Sequence, residues 1–98
     1  MIRTLTALLA CVALPALGQE SSAARTLAAT CTACHGPEGK SASPDVVSLA
    51  GLARERIASQ MQAFRNGTRP STVMQQIAKG YSDQQIDLIA DYFSRRPR

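Results

Sequence analysis

The chain has 98 residues, which allows one small domain. Its formal net charge is +4, but the 11 basic side chains are dispersed and almost no aromatics are interleaved with them, which argues against nucleic-acid binding. Two Tyr, two Phe and no Trp leave little apolar surface for a core made of protein alone.

The first element reads as a secretory leader. Arg3 supplies a basic start, residues 5–17 form an apolar run broken by Pro15, and Ala16-Leu17-Gly18 places small residues where a signal peptidase reads. The pattern predicts a signal peptide over 1–18, cleavage after Gly18 and one mature domain over 19–98. The run is too short for a transmembrane helix. Two other readings use the same residues. Leu8-Leu9-Ala10-Cys11 could be a lipid-attachment box, with an unusually short apolar region before it, or the segment could stay on as a membrane anchor. Cleavage removes Cys11, leaving two cysteines, and sends the domain to the periplasm.

A polar start follows, in which Ser21 or Ser22 can cap a helix. Ala24, Leu27, Ala28 and Cys31 then repeat at helical spacing, so the segment Cys31-Thr32-Ala33-Cys34-His35 falls at the C-terminal end of a first helix. That segment reads C-x-x-C-H, the attachment signature of a c-type haem. Two cysteines three apart on a helical turn lie roughly 5–6 Å apart at Cβ. Both sulfurs can then form thioethers with one haem edge, and His35 meets the iron as an axial ligand. Other chemistries use paired cysteines. Zinc needs about four ligands, whereas the chain has one histidine. A thioredoxin-like pair belongs in a βαβ unit, and nothing here reads as a strand. A structural disulfide also fits the pair taken alone. Export agrees with haem, because an oxidising compartment would otherwise pair Cys31 with Cys34. A large apolar cofactor would also make up for the sparse core, so the chain without it should be largely unfolded.

Gly36, Pro37 and Gly39 end the first helix. A loop over 36–52 closes on the apolar run Val46-Val47-Ser48-Leu49-Ala50-Gly51-Leu52. A backbone carbonyl from that run can accept the Nδ1–H of His35. A second helix runs from about Ala53 to Asn66, with Ile57, Met61 and Phe64 on one face and Gly67 after its end. Thr72 with Gln75 reads as a capping box for a short helix over about 73–79, and Gly80 ends it. Ser82 with Gln85 is a second capping box, and Asp83 suits the dipole of the last helix. Ile86, Ile89, Ala90 and Phe93 form its stripe, widened by Leu88 and Tyr92; Arg95 and Arg96 suit its C-terminus, and Pro97 stops it.

One C-x-x-C-H predicts one haem. Iron needs a partner opposite His35, and no second histidine exists. Met61 lies on a core stripe and Met1 in the leader, which leaves Met74. His/Met ligation raises the reduction potential relative to bis-histidine and fills the iron's coordination sphere. Such a module passes electrons and does no bond chemistry. Arg65, Arg69 and Lys79 are candidates for a basic rim that steers a redox partner.

From Ala23 to Phe93 the sequence resembles a class I c-type cytochrome. The resemblance rests on Cys31 to Gly36, on Leu49-Ala50-Gly51-Leu52 and, most specifically, on the run Arg69-Pro70-Ser71-Thr72-Val73-Met74-Gln75-Gln76-Ile77-Ala78-Lys79-Gly80-Tyr81-Ser82-Asp83. That run is similar to the cytochrome subunit of flavocytochrome c sulfide dehydrogenase. The resemblance implies an all-α fold of about four helices around one covalently attached haem c. It implies Met74 as the axial methionine, and terminal helices that pack with Ala23 and Leu27 against Ala90 and Tyr92. It also implies a non-catalytic subunit that accepts electrons from an FAD-containing subunit oxidising sulfide. Haem-attachment machinery would be a further partner.

Two features depart from that family. Relatives usually place a proline before Ser-Leu-Ala-Gly, where this chain has Val47 and its nearby Pro44 lies three residues earlier. Some such subunits carry two haem domains, and this chain has one motif. A free-standing soluble carrier between respiratory or photosynthetic complexes therefore stays open, as does an open-site haem for ligand sensing or catalysis.

Overall fold

The computed structural model describes residues 10–13 and 21–98. The predicted leader therefore lies outside the described residues except at 10–13, where Cys11 is exposed with a free thiol. Among the described residues all regular structure is helical, and no helix is long and apolar enough to cross a membrane. The elements are α1 (Ser22–Ala29), α2 (Thr32–His35), a 3-10 turn (Pro37–Gly39), α3 (Arg54–Asn66), α4 (Met74–Ala78) and α5 (Asp83–Ser94).

Ser21 caps α1, accepting from the Ala24 N–H at 3.1 Å. The first helix then stops earlier than its periodicity predicts. Thr30 Oγ1 donates to the Leu27 carbonyl at 2.8 Å, while the Thr30 and Cys31 amides bond back only three residues, to Leu27 and Ala28. A threonine hydroxyl that competes for a helix carbonyl tightens the turn. The haem motif thus occupies its own turn, α2, instead of the end of α1.

Helix α3 begins and ends where the sequence places it, with Gly67 at its C-terminus. Helix α5 carries the predicted capping box: Ser82 Oγ accepts from the Gln85 N–H, and Gln85 Oε1 accepts from the Ser82 N–H. The other predicted box is absent. Helix α4 starts at Met74, and Ser71, not Thr72, caps it by accepting from the Gln75 N–H at 2.9 Å.

Helix α5 is the hub, packed on both α1 and α3, while α4 lies on α3. The core joins Ala24 and Ala28 of α1, Ile57, Ala58 and Met61 of α3, Ala78 of α4, and Ile86, Ile89, Ala90, Tyr92 and Phe93 of α5. The terminal helices do pack together on the face that helical spacing predicts, Ala24, Leu27 and Ala28, whereas Ala23, which the resemblance implies at this contact, is exposed. Tyr92 and Phe93 meet edge to face, with ring centroids 5.2 Å apart.

Candidate haem site

The motif is a single hydrogen-bonded turn. The His35 N–H donates to the Cys31 carbonyl at 3.0 Å, and the Gly36 N–H to the Thr32 carbonyl at 3.0 Å. Both thiols are free. Cys31 is half-buried, and burial pushes its thiol pKa up against a smaller opposing pull from Thr30, 3.8 Å away; Cys34 is exposed. Directly after His35 the chain must reverse. Gly36 does this at φ +87°, where a Cβ would lie 1.8 Å from the Lys40 carbonyl oxygen.

The loop over 40–52 approaches His35 from the other side. His35 Nδ1 lies 2.7 Å from the Val47 carbonyl oxygen. A carbonyl only accepts, so the proton sits on Nδ1 and the Nε2 lone pair is left for a metal. Four hydrogen bonds hold that carbonyl in place. The Gly39 carbonyl accepts from Leu49 and Ala50 at 2.8 and 3.2 Å, the Phe93 carbonyl accepts from Gly51 at 2.9 Å, and Ser48 Oγ accepts from Ser41 at 2.9 Å. Valine presents the carbonyl at the position where the family resemblance implies a proline, on a loop moored to the 3-10 turn and to α5.

Met61 is buried in the core, 7% exposed, as its place on the α3 stripe predicts. Met74 opens α4 and is half-buried at the edge of the core. The turn before it folds back on α3: the Arg69 N–H donates to the Ala63 carbonyl at 3.2 Å, and the Arg69 guanidinium lies over the Phe64 ring, 4.6 Å from its centroid. Arg69 also bonds Gln60, and Arg65 bonds Asp83 and, at 3.2 Å, the Tyr81 carbonyl. Two of the three residues predicted as a basic rim thus also tie parts of the fold together; Arg65 is half-buried, while Arg69 and Lys79 are exposed. Charge and spacing do not reveal these ties. Nor did they reveal Tyr81, whose hydroxyl lies 2.6 Å from Thr30 Oγ1; a lone aromatic in the α4–α5 linker was the available signal.

Residues 18–93, well over half of the chain, match the family described as cytochrome c oxidase, cbb3-type, subunit III. The chain belongs to this family. It is a c-type cytochrome domain, the kind that carries covalently bound haem c. The cytochrome is 45% identical over 67 residues to the cytochrome subunit of sulfide dehydrogenase from Chlorobaculum tepidum, a match covering 68% of this chain and 60% of that protein. It is 37% identical over 68 residues to cytochrome c-554(548) of Halomonas halodenitrificans, covering 66% of this chain and 82% of that one. A solved structure of Acidithiobacillus ferrooxidans cytochrome c4 superposes with a TM-score of 0.66 at 33% identity, over 80% of this chain and 52% of its own. The cytochrome thus has the class I fold and spans 60% of the first and 52% of the third of these relatives.

The residues present fit a haem. Two free thiols stand on one turn beside an imidazole whose Nδ1 is engaged. Cys31 itself, with Leu27, Leu49, Leu52, Phe64, Met74 and Leu88, packs on the apolar core yet stays partly open. Val47, Val73 and Ile77, which flank the His35 contact and Met74, are 57%, 55% and 40% exposed. No charged side chain is buried among the described residues. A hollow of about 560 Å³ is lined instead by the spacers Thr32 and Ala33 with Arg25, Tyr92 and Arg96, so it lies outside this site.

Proposed function

We propose that this chain is a periplasmic monohaem electron carrier, exported by a leader over 1–18, with residues 19–98 as its haem domain. Cys31 and Cys34 form the two thioethers, and His35 and Met74 are the axial ligands. The observation that carries the reading is the 2.7 Å contact between His35 Nδ1 and the Val47 carbonyl. It fixes the tautomer and ring orientation and makes the imidazole a stronger donor, as outer partners of metal-bound histidines do.

Haem supplies a one-electron iron couple at ordinary potentials. The chain's part is to hold its ligands still in both oxidation states. His35 is held through Val47, and α2 holds the two cysteines in register. Met74 offers a soft thioether that favours the reduced state relative to a second histidine. With both axial positions taken by side chains no substrate site remains, so the domain relays electrons and is not itself an enzyme.

The donor in this reading is an FAD-containing subunit of the sulfide dehydrogenase kind, which the resemblance of residues 69–83 to that enzyme's cytochrome subunit supports. A free-standing carrier is the second reading. It is favoured by the match to cytochrome c-554(548), of which this chain covers 82%.

The test is the optical spectrum of protein expressed with haem-attachment machinery, oxidised and reduced, beside Met74→Ala. A methionine–iron charge-transfer band that vanishes in the variant is the expected result. A high-spin spectrum indifferent to the substitution would refute Met74 and turn attention to an open site. Co-purification with a flavoprotein, against a clean monomer on gel filtration, separates the two carriers.

A further inference from the structure

The Met74 segment is tied to the cysteine turn by a side-chain hydrogen bond. Tyr81 Oη lies 2.6 Å from Thr30 Oγ1, across 51 residues of chain. The Thr30 hydroxyl already gives its proton to the Leu27 carbonyl at 2.8 Å, so Tyr81 is the donor. Thr30 is the residue before Cys31, and its Oγ1 stands 3.8 Å from Cys31 Sγ.

The rest of Tyr81 is tethered too. Its N–H donates to the Ala78 carbonyl of α4 at 3.2 Å, and its own carbonyl accepts from Arg65 of α3 at 3.2 Å. Arg65 also bonds Asp83, in the first turn of α5. One residue thus joins the end of α4, the end of α3 and the break between α1 and α2. Helix α4 is a single short turn capped by one serine, and such a helix has little stability of its own. Its position must come from tertiary ties.

We propose that Tyr81 is a positioning residue: its bond to Thr30 holds the Met74 segment at a set distance from the Cys31 turn and so keeps the methionine in place as the distal ligand. The inference rests on the His35/Met74 reading. If Met74 leaves the metal by a movement of α4, that movement must stretch or break the Tyr81–Thr30 bond.

The experiment is displacement of the distal ligand by imidazole in the haem-bound protein, followed by the loss of the methionine band. Wild type, Tyr81→Phe, Thr30→Val, the double variant, Thr30→Ser and Met74→Ala are compared, each with its thermal midpoint. Loss of one hydrogen bond should tighten apparent imidazole binding by about tenfold in Tyr81→Phe and in Thr30→Val. The double variant should match either single one in imidazole affinity, since each already removes the Tyr81–Thr30 bond. Thr30→Ser keeps the hydroxyl and should behave as wild type. If Tyr81→Phe and Thr30→Val lower the thermal midpoint but bind imidazole as wild type does, the tie is merely structural and the proposal falls. A different failure is marked by wild type binding imidazole as tightly as Met74→Ala: then Met74 is no ligand, and the functional reading falls together with the tie.

Discussion

Gly39→Ala tests whether the mooring of the proximal loop is what holds His35. Gly39 has φ +78°, and a Cβ there would meet the Phe93 ring at 2.7 Å and the Ala50 nitrogen at 3.1 Å. Phe93 is fully buried, so its ring has nowhere to retreat. The left-handed backbone alone costs alanine roughly 1–2 kcal/mol. Forcing extra volume into a packed core adds about 1–3 kcal/mol. The variant should therefore lose about 2–5 kcal/mol, a large part of the 5–15 kcal/mol typical of a domain. Gly67→Ala is the control. Its φ is +77°, but its Cβ would meet only the tip of the Gln75 side chain, which can move aside, so only the backbone cost of about 1–2 kcal/mol remains. Denaturant unfolding of the two haem-bound variants measures the difference. A second readout is local. The Gly39 carbonyl anchors Leu49 and Ala50, so its displacement should loosen the Val47 carbonyl and speed exchange of the His35 Nδ1 proton, seen by NMR in the reduced protein. Equal destabilisation in the two variants, or an unchanged His35 proton in Gly39→Ala, would refute the reasoning.

Three further outcomes follow from the same contacts. Ser82→Ala removes the hydroxyl side of the α5 capping box and should cost about 1 kcal/mol in denaturant unfolding; because α5 packs on both α1 and α3, the loss should appear in the single global transition and not as local fraying. Burial, then the nearby Glu38 carboxylate, push the Tyr92 phenol up, against a smaller pull from Arg25. The folded chain thus keeps a proton that the unfolded chain has lost, a contribution whole below about pH 10 and lost as pH rises through the folded pKa; Tyr92→Phe should flatten the fall in stability above that point, and parallel curves for variant and wild type would contradict this. Protein made without haem attachment should show no cooperative melt, since the side chains packed around the site would then lie open; a sharp calorimetric transition from it would show that the helices hold themselves together.

Much of this architecture is legible in the sequence where one strong physical rule applies. Helices α3 and α5 follow from apolar periodicity, and the Ser82–Gln85 box follows from two residue types at a fixed offset. Met61 falls in the core because its stripe demands it. The misses occur where rules compete. Helical spacing picks out Ala24, Leu27 and Ala28, which do lie on the packed face of α1, whereas Ala23, implied at the contact only by the family resemblance, is exposed. Thr30 is tolerable in a helix on propensity, yet its hydroxyl takes the Leu27 carbonyl and the helix breaks. The ties made by Arg65 and Arg69 are not legible in the sequence, because their partners, the Tyr81 carbonyl and the Phe64 ring, come together only in the folded chain.

The same distinction explains how Val47 can stand where the family resemblance implies a proline. The group that meets His35 is a backbone carbonyl, and every residue has one. What a proline contributes is stiffness, by limiting the backbone freedom of the unfolded loop. Here the ties from Leu49 and Ala50 to Gly39, and from Gly51 to Phe93, fix the loop within four residues of Val47 on its C-terminal side, while the Ser48–Ser41 bond closes the other. Position 47 is therefore free to vary as long as Gly39 and Phe93 stay in contact. The loop's geometry depends on a glycine eight residues before Val47 and an aromatic residue on the last helix, which makes the proximal ligand as secure as the packing of α5.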